Sequence, residues 1–295
     1  MRKHKTTAVI DTRVSCCYSY PAAVIPSMAR QNIPIPHRKK RRFVILTAKT
    51  FLIVCPLLFL AGFVDSIAGG GGLISLPAYL FAGLPVHLAI GTNKLSSACG
   101  TSLTTVRFIR NGLVRWKLAL PGVAAALAGA WCGSRLSLIT DERVIRGILF
   151  AVLPAAAFIV LNRRLFPDRE EGQAELTGRV LLICTLAALV IGFYDGFYGP
   201  GTGTFLIIAF TVLARLGVSS ANAQAKVINL TTNLTSLAVF LRGGTVLIPL
   251  GLAAAACNML GNYVGSGLAL NKGAKITRPI ILAVLALLLL KLLTE

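Results

Sequence analysis

Apolar residues run along this chain in long blocks: Phe51–Val64, Leu118–Cys132, Gly147–Leu161, Val180–Phe193, Val246–Leu260 and Ile280–Leu290. Several approach the roughly 20 residues that a bilayer-spanning helix needs. Between them lie short polar or glycine-rich stretches. In the first half the pattern predicts a long apolar helix over 43–67 that ends at a Gly-rich break, then a short segment over 73–84. A helix bearing Ser, Thr and Asn follows over 93–109, a small-residue-rich helix over 118–138 and a final helix over 144–162. The second half reads the same way, over 179–197, 203–215, 222–241, 246–268 and 276–293. Each short segment, about 12 residues at 1.5 Å rise, covers roughly 18 Å and falls short of a hydrocarbon core of roughly 30 Å.

The likeness of the two halves extends to single residues. Gly62-Phe63-Val64-Asp65 matches Gly192-Phe193-Tyr194-Asp195 at an offset of 130, and Gly69-Gly70-Gly71 matches Gly199-Pro200-Gly201. At an offset of 132, Lys94 falls on Lys226, Thr101 on Asn233, Phe108 on Phe240, Arg110 on Arg242 and Arg146 on Arg278. Self-similarity at a fixed offset is the mark of duplication. The predicted fold is therefore all-α and polytopic, with two homologous repeats of about four transmembrane helices each plus a short half-helix after a Gly-rich break. Residues 1–42 are expected to be a basic, disordered tail, 43–163 the first transmembrane repeat, 164–178 a charged linker and 179–295 the second repeat.

Composition agrees with the membrane reading. Hydrophobic residues make up 55% and charged residues 14%, against about 25% charged in a soluble domain. The mean hydropathy is +0.76. A net charge of +20 invites a nucleic-acid reading, but ten of the 30 basic residues sit in the first 42, ending in His37-Arg38-Lys39-Lys40-Arg41-Arg42 directly before the first apolar block. A basic run there orients a span with its start in the cytoplasm and sits beside anionic lipid headgroups. No nucleic-acid recognition module accompanies it, so the expected surroundings are a lipid bilayer and not DNA or RNA. If the short segments do not cross, the repeats are parallel with eight spans and both termini are cytoplasmic. The Arg110–Lys117 loop and the linker then face the cytoplasm as well. If they do cross, there are ten spans in inverted repeats; charge placement favours eight.

Ten acidic residues are present, and only Asp65 and Asp195 are embedded in apolar helices. A carboxylate at such a position is costly and commonly serves protonation or ion coupling. The other reading is a structural Asp that caps the following short helix or bonds the amides of the Gly loop. The breaks behind them are Gly69, Gly70, Gly71 and Gly72 in one half and Gly199-Pro200-Gly201-Thr202-Gly203 in the other. Irregular backbone at membrane depth is tolerated only where it is buried or lines a cavity. The N–H groups that open the next short helix, with its dipole, favour an anion there. Close helix packing is the alternative reason for the glycines. The polar stretches Thr92-Asn93-Lys94-Leu95-Ser96-Ser97 and Asn222-Ala223-Gln224-Ala225-Lys226 are expected to open their helices, with Asn229 and Asn233 sharing a face four residues apart. Lys94 and Lys226 offer positive charge to an anion or snorkel to headgroups. His87 reads as a loop residue, and Arg110 and Arg242 as markers of a membrane edge.

Seven scattered cysteines form no CxxC or Cys/His cluster, so neither a metal site nor a disulfide framework is predicted. No GxxxxGK[ST] loop, HExxH or GxSxG motif is present, and no cofactor and no catalytic residue is assigned. The candidate substrate-binding residues are Gly69, Gly70, Gly71, Gly72, Asn93, Lys94, Gly199, Gly201, Thr202, Gly203, Lys226, Asn229 and Asn233. The candidate proton-coupling residues are Asp65 and Asp195. Together they point to a transporter of a small anion. A non-transporting membrane scaffold or assembly factor is the alternative, and homo-oligomerisation stays open.

The stretch Gly62-Phe63-Val64-Asp65-Ser66-Ile67-Ala68-Gly69-Gly70-Gly71-Gly72-Leu73-Ile74-Ser75-Leu76-Pro77, with Gly83-Leu84-Pro85 and Ala89-Ile90-Gly91-Thr92-Asn93-Lys94, resembles the sulfite exporter TauE/SafE-like family of membrane permeases. So do Gly192-Phe193-Tyr194-Asp195-Gly196-Phe197-Tyr198-Gly199-Pro200-Gly201-Thr202-Gly203 and Ala225-Lys226-Val227-Ile228-Asn229, with Asn233. The resemblance spans about 45–293 and leaves the basic extension outside the family pattern. It implies a multi-pass permease of the bacterial inner membrane with duplicated four-helix halves. The substrates it implies are sulfite, sulfonates and related organosulfur anions.

Overall fold

The computed structural model describes residues 47–145, 147 and 177–272. Eight helices can be followed end to end: α1 Ala48–Ala68, α2 Gly72–Phe81, α3 Val86–Arg110, α4 Trp116–Ile139, α5 Gly178–Phe197, α6 Thr202–Val212, α7 Val218–Arg242 and α8 Ile248–Lys272. Among the described residues there is no strand. The tail over 1–42, the linker over 164–178 except for its last two residues, and the final helices expected over 144–162 and 276–293, beyond residues 144, 145 and 147, lie outside the described residues.

Three helices, α1, α4 and α5, are both long and apolar enough to cross a membrane. Helices α3 and α7, at 25 residues each, have the length, about 37 Å, but carry too many polar side chains to register as apolar. Those side chains point inward. Asp65, Asn93, Lys94, Asp195, Asn222, Lys226, Asn229 and Asn233 are all buried, whereas Leu52, Leu60, Leu120, Leu182, Leu186, Val190, Leu252 and Leu260 are exposed. On α5, Leu182, Leu186, Leu189 and Phe193 are exposed while Cys184, Ala188, Gly192 and Asp195 are buried, the two faces of one helix. A polar interior inside an apolar shell is the reverse of a soluble domain and suits a lipid solvent.

Small residues decide which helices meet. The first helix of each half packs most extensively on the fourth described helix of the other half: α1 on α8, and α5 on α4. Gly192 and Gly196 of α5 lie against the backbone of Ala126 and Ala130, and Gly129 and Gly133 of α4 against the backbone of α5. On the other side Gly62 of α1 meets Asn258, while Gly261 and Gly265 of α8 meet the backbone at Phe59 and Phe63. Without Cβ atoms at these positions the backbones come close enough for dispersion to hold them where lipid supplies no hydrophobic drive. A buried polar cluster adds to the α1–α3–α8 junction: Thr104 Oγ1 donates to Asn262 Oδ1 (2.7 Å), and Asn258 Nδ2 donates to the Leu58 carbonyl (3.2 Å). Helices α3 and α7 pack on each other at the centre, where the Thr105 hydroxyl donates to the Lys226 carbonyl (3.2 Å). The two halves of the sequence are interlocked.

Several boundaries move. Helix α3 starts at Val86, not 93, and α7 at Val218, not 222. The polar stretches therefore do not open their helices; they lie one to two turns inside. Pro85 (φ −56°, ψ 149°) and Gly217 (φ −60°, ψ 150°) are the N-caps, and the fixed φ of proline suits an extended residue leading into a helix. His87 accordingly sits in the first turn of α3 and not in a loop. The short helices end early, at Phe81 and Val212, ahead of the positive-φ residues Gly83 and Arg215. Arg110 and Arg242 are the exposed last residues of α3 and α7.

Candidate functional site

The two glycine breaks meet each other. Helix α1 stops because Gly69 takes a left-handed conformation (φ +74°) whose N–H bonds the Asp65 carbonyl at 2.8 Å. Helix α6 starts from Gly201, also left-handed at φ +82°. Only glycine enters this region without penalty. The absence of side chains then lets the strands of backbone touch: a Cβ on Gly203 would lie 2.6 Å from the Gly69 Cα. Thr204 stitches the contact, its N–H to the Gly69 carbonyl (3.2 Å) and its hydroxyl to the Ala68 carbonyl (2.8 Å). Asn222 of α7 holds the Ile67 carbonyl at 3.0 Å. The second break is braced from within, by the Tyr194 hydroxyl on the Pro200 carbonyl (2.7 Å) and the Thr202 hydroxyl within 2.7 Å of both the Gly199 carbonyl and Asp195 Oδ1.

Beside this junction lies a small, partly open cavity, lined by the ends of α1 and α5, the starts of α2 and α6 and the middle of α3 and α7. Of the predicted substrate-binding residues, Gly69, Gly72, Asn93, Lys94, Gly199, Gly201, Thr202, Gly203, Asn229 and Asn233 line it, as do Asp65 and Asp195. Gly70, Gly71 and Lys226 do not line it. Gly71 packs against the Asp65 side chain. Two lining residues were not among the candidates, Ser97 and Thr101. The offset of 132 finds both: Ser97 is the counterpart of Asn229 and Thr101 that of Asn233.

Four buried charges surround the cavity in two ion pairs, and each pair crosses between the halves. Lys94 of α3 holds Asp195 of α5, with Nζ to Oδ1 at 2.9 Å. Lys226 of α7 holds Asp65 of α1, with Nζ to Oδ2 at 2.8 Å, and also donates to the Asp65 backbone carbonyl. The lysines do not snorkel: Lys94 and Lys226 are 2% and 0% exposed. Buried charges in apolar surroundings demand partners, and here each half of the sequence supplies the partner of the other. The pairs differ in their access. Lys94 lines the cavity with Asp195, whereas Lys226 is sealed behind Asp65. Asp195 Oδ2 is buried without a hydrogen-bond partner among the described residues. Polar groups with acceptor and donor capacity, Asn93, Ser97, Thr101, Thr202, Asn229 and Asn233, complete the wall. Among the described residues no group of His, Cys, Asp or Glu is placed to hold a metal ion.

Residues 54–292 match the protein family described as Sulfite exporter TauE/SafE. The chain is 40% identical over 240 residues to a probable membrane transporter protein, ORF9, of Sinorhizobium sp, covering 80% of this chain and 90% of that one. It is 36% identical over 258 residues to the probable membrane transporter protein YfcA of Escherichia coli K12, covering 84% and 94%. A probable membrane transporter protein of Haemophilus influenzae is 35% identical over 227 residues, covering 76% and 86%. No solved structure matches the chain.

Proposed function

We infer that this chain, which belongs to the sulfite exporter TauE/SafE family of membrane transporters, moves a small oxyanion of the sulfite or sulfonate class across the bacterial inner membrane by proton-linked secondary transport. The observation that carries the reading is the cavity itself, where both Gly breaks, Lys94 and six uncharged polar side chains converge inside an apolar shell. An oxyanion presents acceptor oxygens, and beside the Asp65 and Asp195 carboxylates the wall offers it an ammonium, side-chain amides and hydroxyls.

The reading includes two repeats, 43–163 and 179–295, each with four spans and a half-helix. Its support is the recurrence of α1–α4 as α5–α8 at offsets of 130 and 132 in start position. It also includes cytoplasmic termini, on the strength of the basic run before residue 43. The substrate-binding set is Gly69, Gly72, Asn93, Lys94, Gly199, Gly201, Thr202, Gly203, Asn229 and Asn233, extended by Ser97 and Thr101. Gly70, Gly71 and Lys226 are reassigned to shaping the break and holding Asp65.

The test is flux. Purified protein in proteoliposomes should move sulfite or methanesulfonate saturably, and faster under an inward proton gradient than without one. Protein that moves neither anion under any imposed gradient defeats the reading.

A further inference from the structure

The two ion pairs contain the same residue types and stand in different relations to the cavity, which gives them different parts in coupling. In the empty protein the four charges cancel. A monovalent anion adds one uncompensated negative charge to a site walled by buried residues, where such a charge is disfavoured. Neutrality returns if one carboxylate takes a proton as the anion arrives. Which one can do so depends on what its lysine is left facing.

Protonation of Asp65 would strand Lys226. That ammonium is 0% exposed and does not line the cavity, so no anion replaces the lost carboxylate without pushing Asp65 aside. Protonation of Asp195 releases Lys94, which does line the cavity and passes directly to the anion. Two further observations agree. Asp195 Oδ2 has no hydrogen-bond partner among the described residues, so it is open to a proton. Lys226 grips Asp65 twice, by carboxylate and by backbone carbonyl, whereas among the described residues the Lys94 ammonium is seen to hold Asp195 Oδ1 alone.

We propose that Asp195 is the proton-exchanging carboxylate of this transporter and a resident stand-in for its substrate. Its carboxylate occupies Lys94 when the site is empty. The anion takes Lys94 in its place, and one proton drawn from the bulk solvent and its buffer converts Asp195 to the neutral acid. The site is neutral before and after; release reverses each step. Asp65 and Lys226 stay paired throughout and act as a brace. The proposal rests on the anion-transport reading above.

The groups around Asp195 permit this. Lys94 faces it from α3, the Thr202 hydroxyl from the start of α6, and Asp65 from across the cavity on α1. Tyr194 precedes it on α5, and Tyr198 lies just past the end of that helix. Helix α4 meets α5 through Ala126, Gly129, Ala130 and Gly133, and α7 meets Gly192 through the Thr232 methyl, so neither brings a titratable group to that contact. The charged residues of α4, Lys117 and Arg135, are exposed.

Isothermal titration of the full chain in detergent, in buffers of different ionisation enthalpy, counts the protons taken up per anion bound. Methanesulfonate is the probe, because it keeps its single charge from mildly acidic to neutral pH, unlike sulfite. The native protein should take up about one proton per anion by linkage. Asp195→Asn should take up none and, with the internal competitor gone, should bind about tenfold more tightly at neutral pH. Asp195→Glu keeps a carboxyl and should keep the proton; it carries the test if the Asn variant does not fold. The double variant Asp65→Asn/Lys226→Met removes the other pair as a unit and should retain about one proton per anion, whatever its affinity. Proton uptake that persists in Asp195→Asn, that vanishes in Asp195→Glu, or that vanishes in the double variant, overturns the proposal and leaves anion transport standing. A native protein that neither binds nor moves methanesulfonate or sulfite removes the transport reading, and the proposal with it.

Discussion

The half-site around Asp65 and the half-site around Asp195 hold the same acid, the same lysine and a glycine break, yet only the second places its lysine on the cavity wall. The differences lie at a few corresponding positions. Val64 stands where Tyr194 stands, Gly72 where Thr202 stands, and Ser97 and Thr101 where Asn229 and Asn233 stand. The second break thus acquires its own hydroxyl braces, from Tyr194 and Thr202, whereas the first is held from outside by Thr204 and Asn222. A buried ion pair's role is set by whether its cation faces a ligand or faces packed protein. Residue identity alone does not distinguish the two.

The comparison breaks most readily at the acids. Asp65→Ala strands a fully buried ammonium and should lower stability by about 3–5 kcal/mol. Asp195→Ala should lower it clearly less, because Lys94 has the cavity beside it. Thermal unfolding in detergent measures both, and equal losses would erase the distinction. The next largest effect concerns the breaks. Gly69→Ala places a Cβ 2.6 Å from the Gly203 Cα at a positive φ and should destabilise by about 2–3 kcal/mol. Gly83→Ala, at φ +84° in open space, should lose only about 1 kcal/mol. Lys94→Ala should then weaken anion binding by about 1.5–3 kcal/mol, read by calorimetry, as expected for one charge-assisted bond. Smallest is Thr202→Val, which removes the hydroxyl at Asp195 Oδ1 and should weaken binding or stability by about 1 kcal/mol. An effect of Thr202→Val as large as that of Lys94→Ala would mean that the hydroxyl, not the ammonium, anchors the site.

Much of this site was legible in the sequence, for a definite reason. A lone acid in an apolar helix and a glycine cluster behind it are each weak signals, but their recurrence at one offset marks Asp65, Asp195 and both breaks together. The same offset, carried one step further from Asn229 and Asn233, reaches Ser97 and Thr101. The pairing was hidden. Helical periodicity tells which residues share a face and nothing about which helix that face meets, so Lys94 and Lys226 read equally well as ligands or as snorkelling residues. Their partners come from the opposite half, 101 and 161 positions away. Small residues at four-residue spacing on α4, α5 and α8 announce close packing but do not name the partner helix. The helix starts at Val86 and Val218 were missed because polar residues inside α3 and α7 imitate caps, and only the cavity explains why a membrane helix carries them in its middle.

The crossed pairing of α1 with α8 and of α5 with α4 has a consequence for how the protein is made. A ribosome that has delivered only the first four described helices has placed Asp65 and Lys94 in the bilayer before either counter-ion, Lys226 or Asp195, has been synthesised. The nascent first half is therefore an electrically unfinished object. Its two buried charges lack their native partners until the second half is made, and its lifetime in a pulse-chase should lengthen sharply when the second half is supplied as a separate chain.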